Sequence, residues 1–248
     1  MEKTTEISAT FAGNIQAKIQ MSLYTHISGR HLVSLDYMCK KLLKIENTDD
    51  YCSEYKEEHT ALSHSSVILS ACILESRINE FFCDAKYMRN NLAEISDAQI
   101  TALNNEWETN ITKKRTYGIL EKYNSALELV TGKSFEKGKG VYQEAFNLIT
   151  LRNALIHSIS EFTTADKTDD TLSSKLYNIL NNKFSIKKGT ENTGNPFFPD
   201  KCFGAGCAQW SALTSIRFIK EFYRLAGLTS NLEFLNKVID SNNLSSFQ

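Results

Sequence analysis

Residues 67–85 read Val67-Ile68-Leu69-Ser70-Ala71-Cys72-Ile73-Leu74-Glu75-Ser76-Arg77-Ile78-Asn79-Glu80-Phe81-Phe82-Cys83-Asp84-Ala85. Val67, Ala71, Leu74, Ile78, Phe81 and Ala85 step by four and three, the spacing of one buried stripe on a long helix. A second stripe, Ile68, Cys72, Glu75, Asn79 and Phe82, follows the same steps. Glu75 and Asn79 therefore sit one turn apart on a face otherwise suited to burial. A carboxylate there needs a partner, and another helix is the place to look for it.

Working outward, the helical period recurs and clean alternation is scarce. Leu120, Tyr123, Leu127 and Val130 form a stripe stopped by Gly132. Ser96 with Gln99 reads as a capping box opening a helix through Ile100, Leu103 and Trp107. Leu148, Leu151, Leu155 and Phe162 mark another helix, and Ala212, Ile216, Ile219, Tyr223 and Ala226 a late one ending at Gly227. An amphipathic segment covers about Leu32 to Leu43. Both prolines, Pro196 and Pro199, fall in a glycine-bearing stretch from Lys187 to Gly206, and none precedes them, which suits a succession of helices. Thr163 to Thr171 reads as a polar connector. The expected fold is an all-α bundle forming one domain over residues 1–248. Its core spans about 57–227, with an N-terminal helical extension over 1–50 and a long proline-containing loop at 187–206.

Composition narrows the function. The 28 basic and 29 acidic residues cancel to a charge of −1, so any contact with nucleic acid must be local rather than global. No apolar run approaches the ~20 residues that span a bilayer, and Met1 to Glu6 lacks the apolar segment of a secretory signal. A cytoplasmic protein without membrane contact is expected. Cys39, Cys52, Cys72, Cys83, Cys202 and Cys207 form no Cys-x-x-Cys pair and have no histidine set for zinc, so they read as reduced, structural thiols. His26, His31, His59 and His64 are scattered, and His59 and His64 read as surface residues. Trp107 and Trp210 fit apolar faces. Phe197, Phe198 and Phe203 cover either the core or a partner's groove.

Polar residues also interrupt the helix near residue 150. Ala145, Ile149, Arg152, Ile156 and Ile159 form a stripe in which Arg152 stands at an apolar position. Phe146, Thr150, Asn153, His157 and Ser160 run beside it. Arg152 and His157 are about 140° apart around an ideal helix, a gap that the arginine's length can bridge. Together they offer a cation for phosphate, an amide, and a side chain that titrates near neutrality.

Leu151-Arg152-Asn153-Ala154-Leu155-Ile156-His157 resembles the signature of the HEPN superfamily (higher eukaryotes and prokaryotes nucleotide-binding domains): Arg-x(4–6)-His with a polar residue after the arginine. Leu74 to Phe82 is similar to that family's first long helix, and the order of helices agrees over about Glu57 to Gly227. The resemblance implies a metal-independent endoribonuclease, a toxin or anti-phage defence effector, working as a homodimer through its motif helices with no cofactor. It implies Arg152, Asn153 and His157 as catalytic residues, with Glu75 and Asn79 fixing Arg152. RNA is the implied substrate, and an antitoxin or defence-system protein a candidate partner. Lys113, Lys114 and Arg115, with Lys133, Lys137 and Lys139, would guide the RNA backbone unless they are simply solvated. Two alternatives stay open: a non-catalytic HEPN module that binds a nucleotide or partner protein, and a structural protein in which Arg152 pairs with Glu75.

Overall fold

The computed structural model describes residues 5–11, 15–21, 24–48, 54–113, 117–157 and 171–241. Its body is all-α, as the periodicity predicts. In chain order the helices are α1 (Ser28–Glu46), α2 (Lys56–Tyr87), α3 (Asp97–Glu106), α4 (Ile119–Thr131), α5 (Gly140–Ile156), α6 (Leu172–Leu180), α7 (Ala205–Ala226) and α8 (Thr229–Ser241). The long stripe of α2 is buried as expected: Val67, Ala71, Leu74, Ile78, Phe81 and Ala85 are all in the core. Along its length α2 packs against α1 and α7, and more briefly against α3, α4 and α5. Aromatic edges lock the crossing of α2, α4 and α7. The Tyr123 ring meets Phe218 at 4.8 Å and Phe222 at 5.0 Å, both edge-on, and its hydroxyl donates to the Leu74 carbonyl at 2.9 Å.

Local signals end these helices where the sequence places them. Ser96 and Gln99 form the reciprocal capping box of α3. Gly132 and Gly227 close α4 and α7 with φ of +70° and +72°, a region that favours glycine.

Several expectations need correcting. The N-terminal elaboration is not only helical. β1 (Thr5–Phe11) and β2 (Ile15–Met21) pair antiparallel ahead of α1, and the register sets Ile7 opposite Ile19, Ala9 opposite Ala17 and Phe11 opposite Ile15. The apolar positions alternate in both strands, a short period-two signal overshadowed by the helical pattern elsewhere. Helices α6 and α8 were also not anticipated. The motif helix ends at Ile156 rather than continuing to Phe162, because the His157 backbone (φ −115°, ψ 24°) leaves helical geometry. Phe162 lies outside the described residues, as do Cys52, Ser160 and the connector between 163 and 170. Trp107 opens a separate wide turn, Trp107–Ile111, instead of ending α3.

His59 and His64 are not surface residues. His59 is buried in α2, its Nε2 lying 2.7 Å from Glu46 Oε1, and His64 is half-buried with its ring 4.5 Å from that of Phe203. Glu46 explains both this burial and the order of the long loop. Its Oε1 also accepts from the Ala205 N–H at 2.9 Å, while Lys188 Nζ donates to its carbonyl at 2.8 Å. The loop is thus pinned to the end of α1, and it contains its own turn at Phe197–Lys201. Phe198 and Phe203 cover the core, and Gly206 already belongs to α7. A Cβ on Gly206 would lie 2.6 Å from the Ser185 carbonyl oxygen, so only glycine lets loop and helix approach this closely.

Candidate active site

Helix α5 carries the motif. Tyr142, Ala145, Leu148, Leu151 and Ala154 bury one face against the bundle. The other face is left uncovered. Phe146 is 52% exposed and Ile156 47% exposed, and Asn153 and His157 are also exposed. At about 100° per residue, Phe146, Thr150, Asn153 and His157 fall within roughly 60° of one another. His157 sits at the helix end, where its N–H donates to the Asn153 carbonyl at 2.8 Å. The outward stripe therefore combines Phe146 with an amide and an imidazole, and Ile156 is exposed about 100° further round, on the Arg152 side.

Arg152 lies at the edge of this stripe and is half-buried against α2. Its charge reaches the Cys72 thiol, whose pKa burial raises and the guanidinium lowers; Glu75 adds a smaller upward push. Arg152 Nε is sealed from solvent and has no hydrogen-bond partner among the described residues. No carboxylate among the described residues forms an ion pair with Arg152. A buried donor left unpaired costs about 1–3 kcal/mol.

Glu75 and Asn79 do not fix Arg152, and Arg152 is not Glu75's ion-pair partner. Their partner is Lys122 of α4, whose Nζ donates to Asn79 Oδ1 at 2.9 Å and stands 3.7 Å from Glu75 Oε1. Lys122 is buried, while Glu75 is half-exposed. The physical reason is the packing of α4 on α2, which carries Lys122 to the Glu75 and Asn79 face alongside the neighbouring Tyr123–Leu74 bond. Lys122 is the residue that sequence reasoning missed. The signal was present, since Ile119, Lys122, Ala126 and Leu129 step by three, four and three with one charge among apolar residues.

The remaining candidates are spread out. Lys113 is exposed at the end of the turn after α3, and Lys114 and Arg115 lie outside the described residues. Lys133, Lys137 and Lys139 are exposed before α5, and Lys139 is 3.5 Å from Glu136. The two described clefts, about 530 and 310 Å³, are lined by neither Arg152 nor His157. Among the described residues no group of three or more His, Cys, Asp or Glu side chains is placed to hold a metal, and no helix is long and apolar enough to cross a membrane. The described cysteines are free thiols, with burial driving that of Cys39 up to about 12.

No protein-family model, curated protein or solved structure matches this chain.

Proposed function

We propose that the chain is a metal-independent endoribonuclease whose site is completed when two copies pair through α5. The observation that supports this most is the half-buried Arg152, whose Nε has no partner among the described residues, beside an exposed face that carries Phe146, Asn153 and His157, with Ile156 exposed on the Arg152 side. Apolar residues left half-exposed next to reactive groups suit a two-fold contact that covers the first and encloses the second.

The chemistry follows from the groups. The RNA 2′-hydroxyl attacks the adjacent phosphorus, so DNA is not a substrate. One copy of His157 takes the hydroxyl proton. The partner copy, protonated, gives a proton to the departing 5′-oxygen as the P–O5′ bond breaks. One helix has a single imidazole, and pairing supplies both the base and the acid. Arg152 donates to the non-bridging oxygens through its guanidinium as charge builds there. Asn153 orients the phosphate or the imidazole. The products are a 2′,3′-cyclic phosphate and a 5′-hydroxyl. Lys122 holds Glu75 and Asn79, which shape the α2 wall near Cys72 rather than touching the substrate. Such an activity suits a toxin or anti-phage effector restrained by a partner protein.

A second reading, a non-catalytic module of the same superfamily, has one observation in its favour: the described clefts exclude the motif. Incubating purified wild-type, Arg152→Ala and His157→Ala protein with tRNA and mRNA in EDTA distinguishes the two. Cleavage by wild type alone, with cyclic-phosphate ends, supports the nuclease. Equal cleavage by all three, or none by wild type, removes it.

A further inference from the structure

The larger cleft, about 530 Å³, opens between the start of α5, the residues after α6, and α7. It lies at the far end of α5 from His157, roughly 25 Å away at 1.5 Å per residue over 17 residues. Lys139, Lys183 and Arg217 line it, against a single acid, Glu144. Glu144 is fully engaged: Oε1 accepts from Lys183 Nζ, and Oε2 from Trp210 Nε1 at 3.0 Å. Lys139 stands 3.5 Å from Glu136, outside the lining, but both side chains are more than three-quarters exposed and the pair is weak. Arg217 is exposed and pairs with no carboxylate among the described residues. Three cations less one carboxylate leave the lining with a charge of +2.

Other donors in this lining are unmet. Helix α5 starts at Lys139 without a side-chain cap, and the first N–H turned back into the helix is that of Gln143, which donates to the Lys139 carbonyl at 3.2 Å. The N–H groups of Gly140 and Val141, at the positive end of the helix dipole, have no acceptor among the described residues. Thr214 of α7 is the independent sign. It lines the same cleft and is only 5% exposed, yet its hydroxyl has no hydrogen-bond partner among the described residues. A hydroxyl buried in a helix ordinarily returns to the carbonyl four residues back, as that of Ser215 does to Ser211. Unlike the sealed Nε of Arg152, the Thr214 hydroxyl keeps contact with solvent, so a ligand in the cleft can reach it.

A cation would meet three like charges here, and a neutral ligand would leave the charge unmatched. The available N–H groups, guanidinium, ammonium and hydroxyl all donate, which suits an anion. A phosphate monoester offers three strong acceptor oxygens and a charge of about −1.5 to −2 at neutral pH, matching the lining; a carboxylate or phosphodiester brings a single charge. The volume exceeds a bare phosphate and leaves room for the group that carries it. We infer that this cleft binds a phosphate monoester, its oxygens held by Arg217, Lys139, the first N–H groups of α5 and the Thr214 hydroxyl. Trp210, fixed through its indole N–H by Glu144, walls the esterified group. The inference stands whether or not the chain cuts RNA, because neither Arg152 nor His157 lines this cleft. The ester is either a small molecule or the phosphorylated 5′ end of an RNA strand.

The test is isothermal titration calorimetry at neutral pH and constant ionic strength, using full-length wild-type, Arg217→Gln and Thr214→Val protein. The probes are inorganic phosphate, glycerol phosphate, and a tetraribonucleotide with a 5′-phosphate or a 5′-hydroxyl, 2′-O-methylated so that it cannot be cut. Arg217 is exposed and unpaired, so its variant keeps the proposal testable should Thr214→Val fail to fold. Binding of at least one phosphorylated probe is expected, weakened ~10-fold or more by Arg217→Gln and ~5-fold by Thr214→Val, about the loss of one charge-assisted and one neutral hydrogen bond. Glycerol phosphate and the phosphorylated strand binding alike identifies a small ester as sufficient; the phosphorylated strand alone identifies an RNA end. No binding of any phosphorylated probe at millimolar concentration overturns the inference. So does a 5′-hydroxyl strand that binds as tightly as the phosphorylated one, or binding that either folded variant leaves at wild-type strength.

Discussion

Replacing Phe146 with serine removes the largest apolar group on the uncovered face of α5, and its effect on self-association follows from its exposure. Fully burying a phenylalanine is worth about 1.5–3 kcal/mol. Phe146 is already covered over roughly half its surface, being 52% exposed. A partner can therefore add only about 1.2 kcal/mol per copy. In a two-fold interface the substitution enters twice, giving about 2.4 kcal/mol, or a dimer dissociation constant raised about fifty-fold. The monomer fold should be unaffected, since Phe146 is outside the buried core. Sedimentation velocity over a dilution series reads the constant directly, with circular dichroism as the control for folding. A wild-type protein that stays monomeric at every concentration would refute the reasoning, as would a Phe146→Ser dimer as tight as wild type.

Two further outcomes concern the supporting structure. Lys122→Met leaves Asn79 without its donor and Glu75 without its cation, and should lower stability by about 1–3 kcal/mol in a urea titration; an unchanged midpoint would show that Lys122 does not hold the α2 wall. His64 titrates below its ordinary value because burial, then the charges of Lys187 and His59, disfavour its protonated form. The stability it contributes is therefore present above the unfolded value near 6.5 and lost as pH falls through the depressed folded value. The melting temperature of wild type should drop more between pH 7.5 and pH 5.5 than that of His64→Phe, and parallel drops would contradict the assignment.

Much of the fold was legible because burial leaves a period in the sequence. The α2 stripe, the Ser96 cap and the glycine stops at 132 and 227 each have a local cause within a few residues. The hairpin was legible too, in the alternation of Ile15, Ala17, Ile19 and Met21, but seven-residue strands give a weak signal beside a 32-residue helix. The pairing of Glu46 with His59 joins residues 13 apart on two helices, and its extension to Ala205 spans 159 positions. No spacing rule finds such contacts. At the candidate site, the polar interruptions at Glu75 and Asn79 marked positions that find a partner, Lys122, on another helix. Which partner each finds depends on how α4 and α5 pack on α2, and Lys122 won Glu75 and Asn79 because its side chain ends on their face.

The central claim is that the cleavage site draws a histidine from each of two copies. Mixing wild-type protein with increasing His157→Ala protein at fixed total concentration, and following RNA cleavage in EDTA after subunit exchange, tests it most directly. If both imidazoles are required, activity follows the square of the wild-type fraction, falling to about a quarter at an equal mixture of the two. A linear decline, to about half at the same point, would show that each copy cuts alone and would contradict the account.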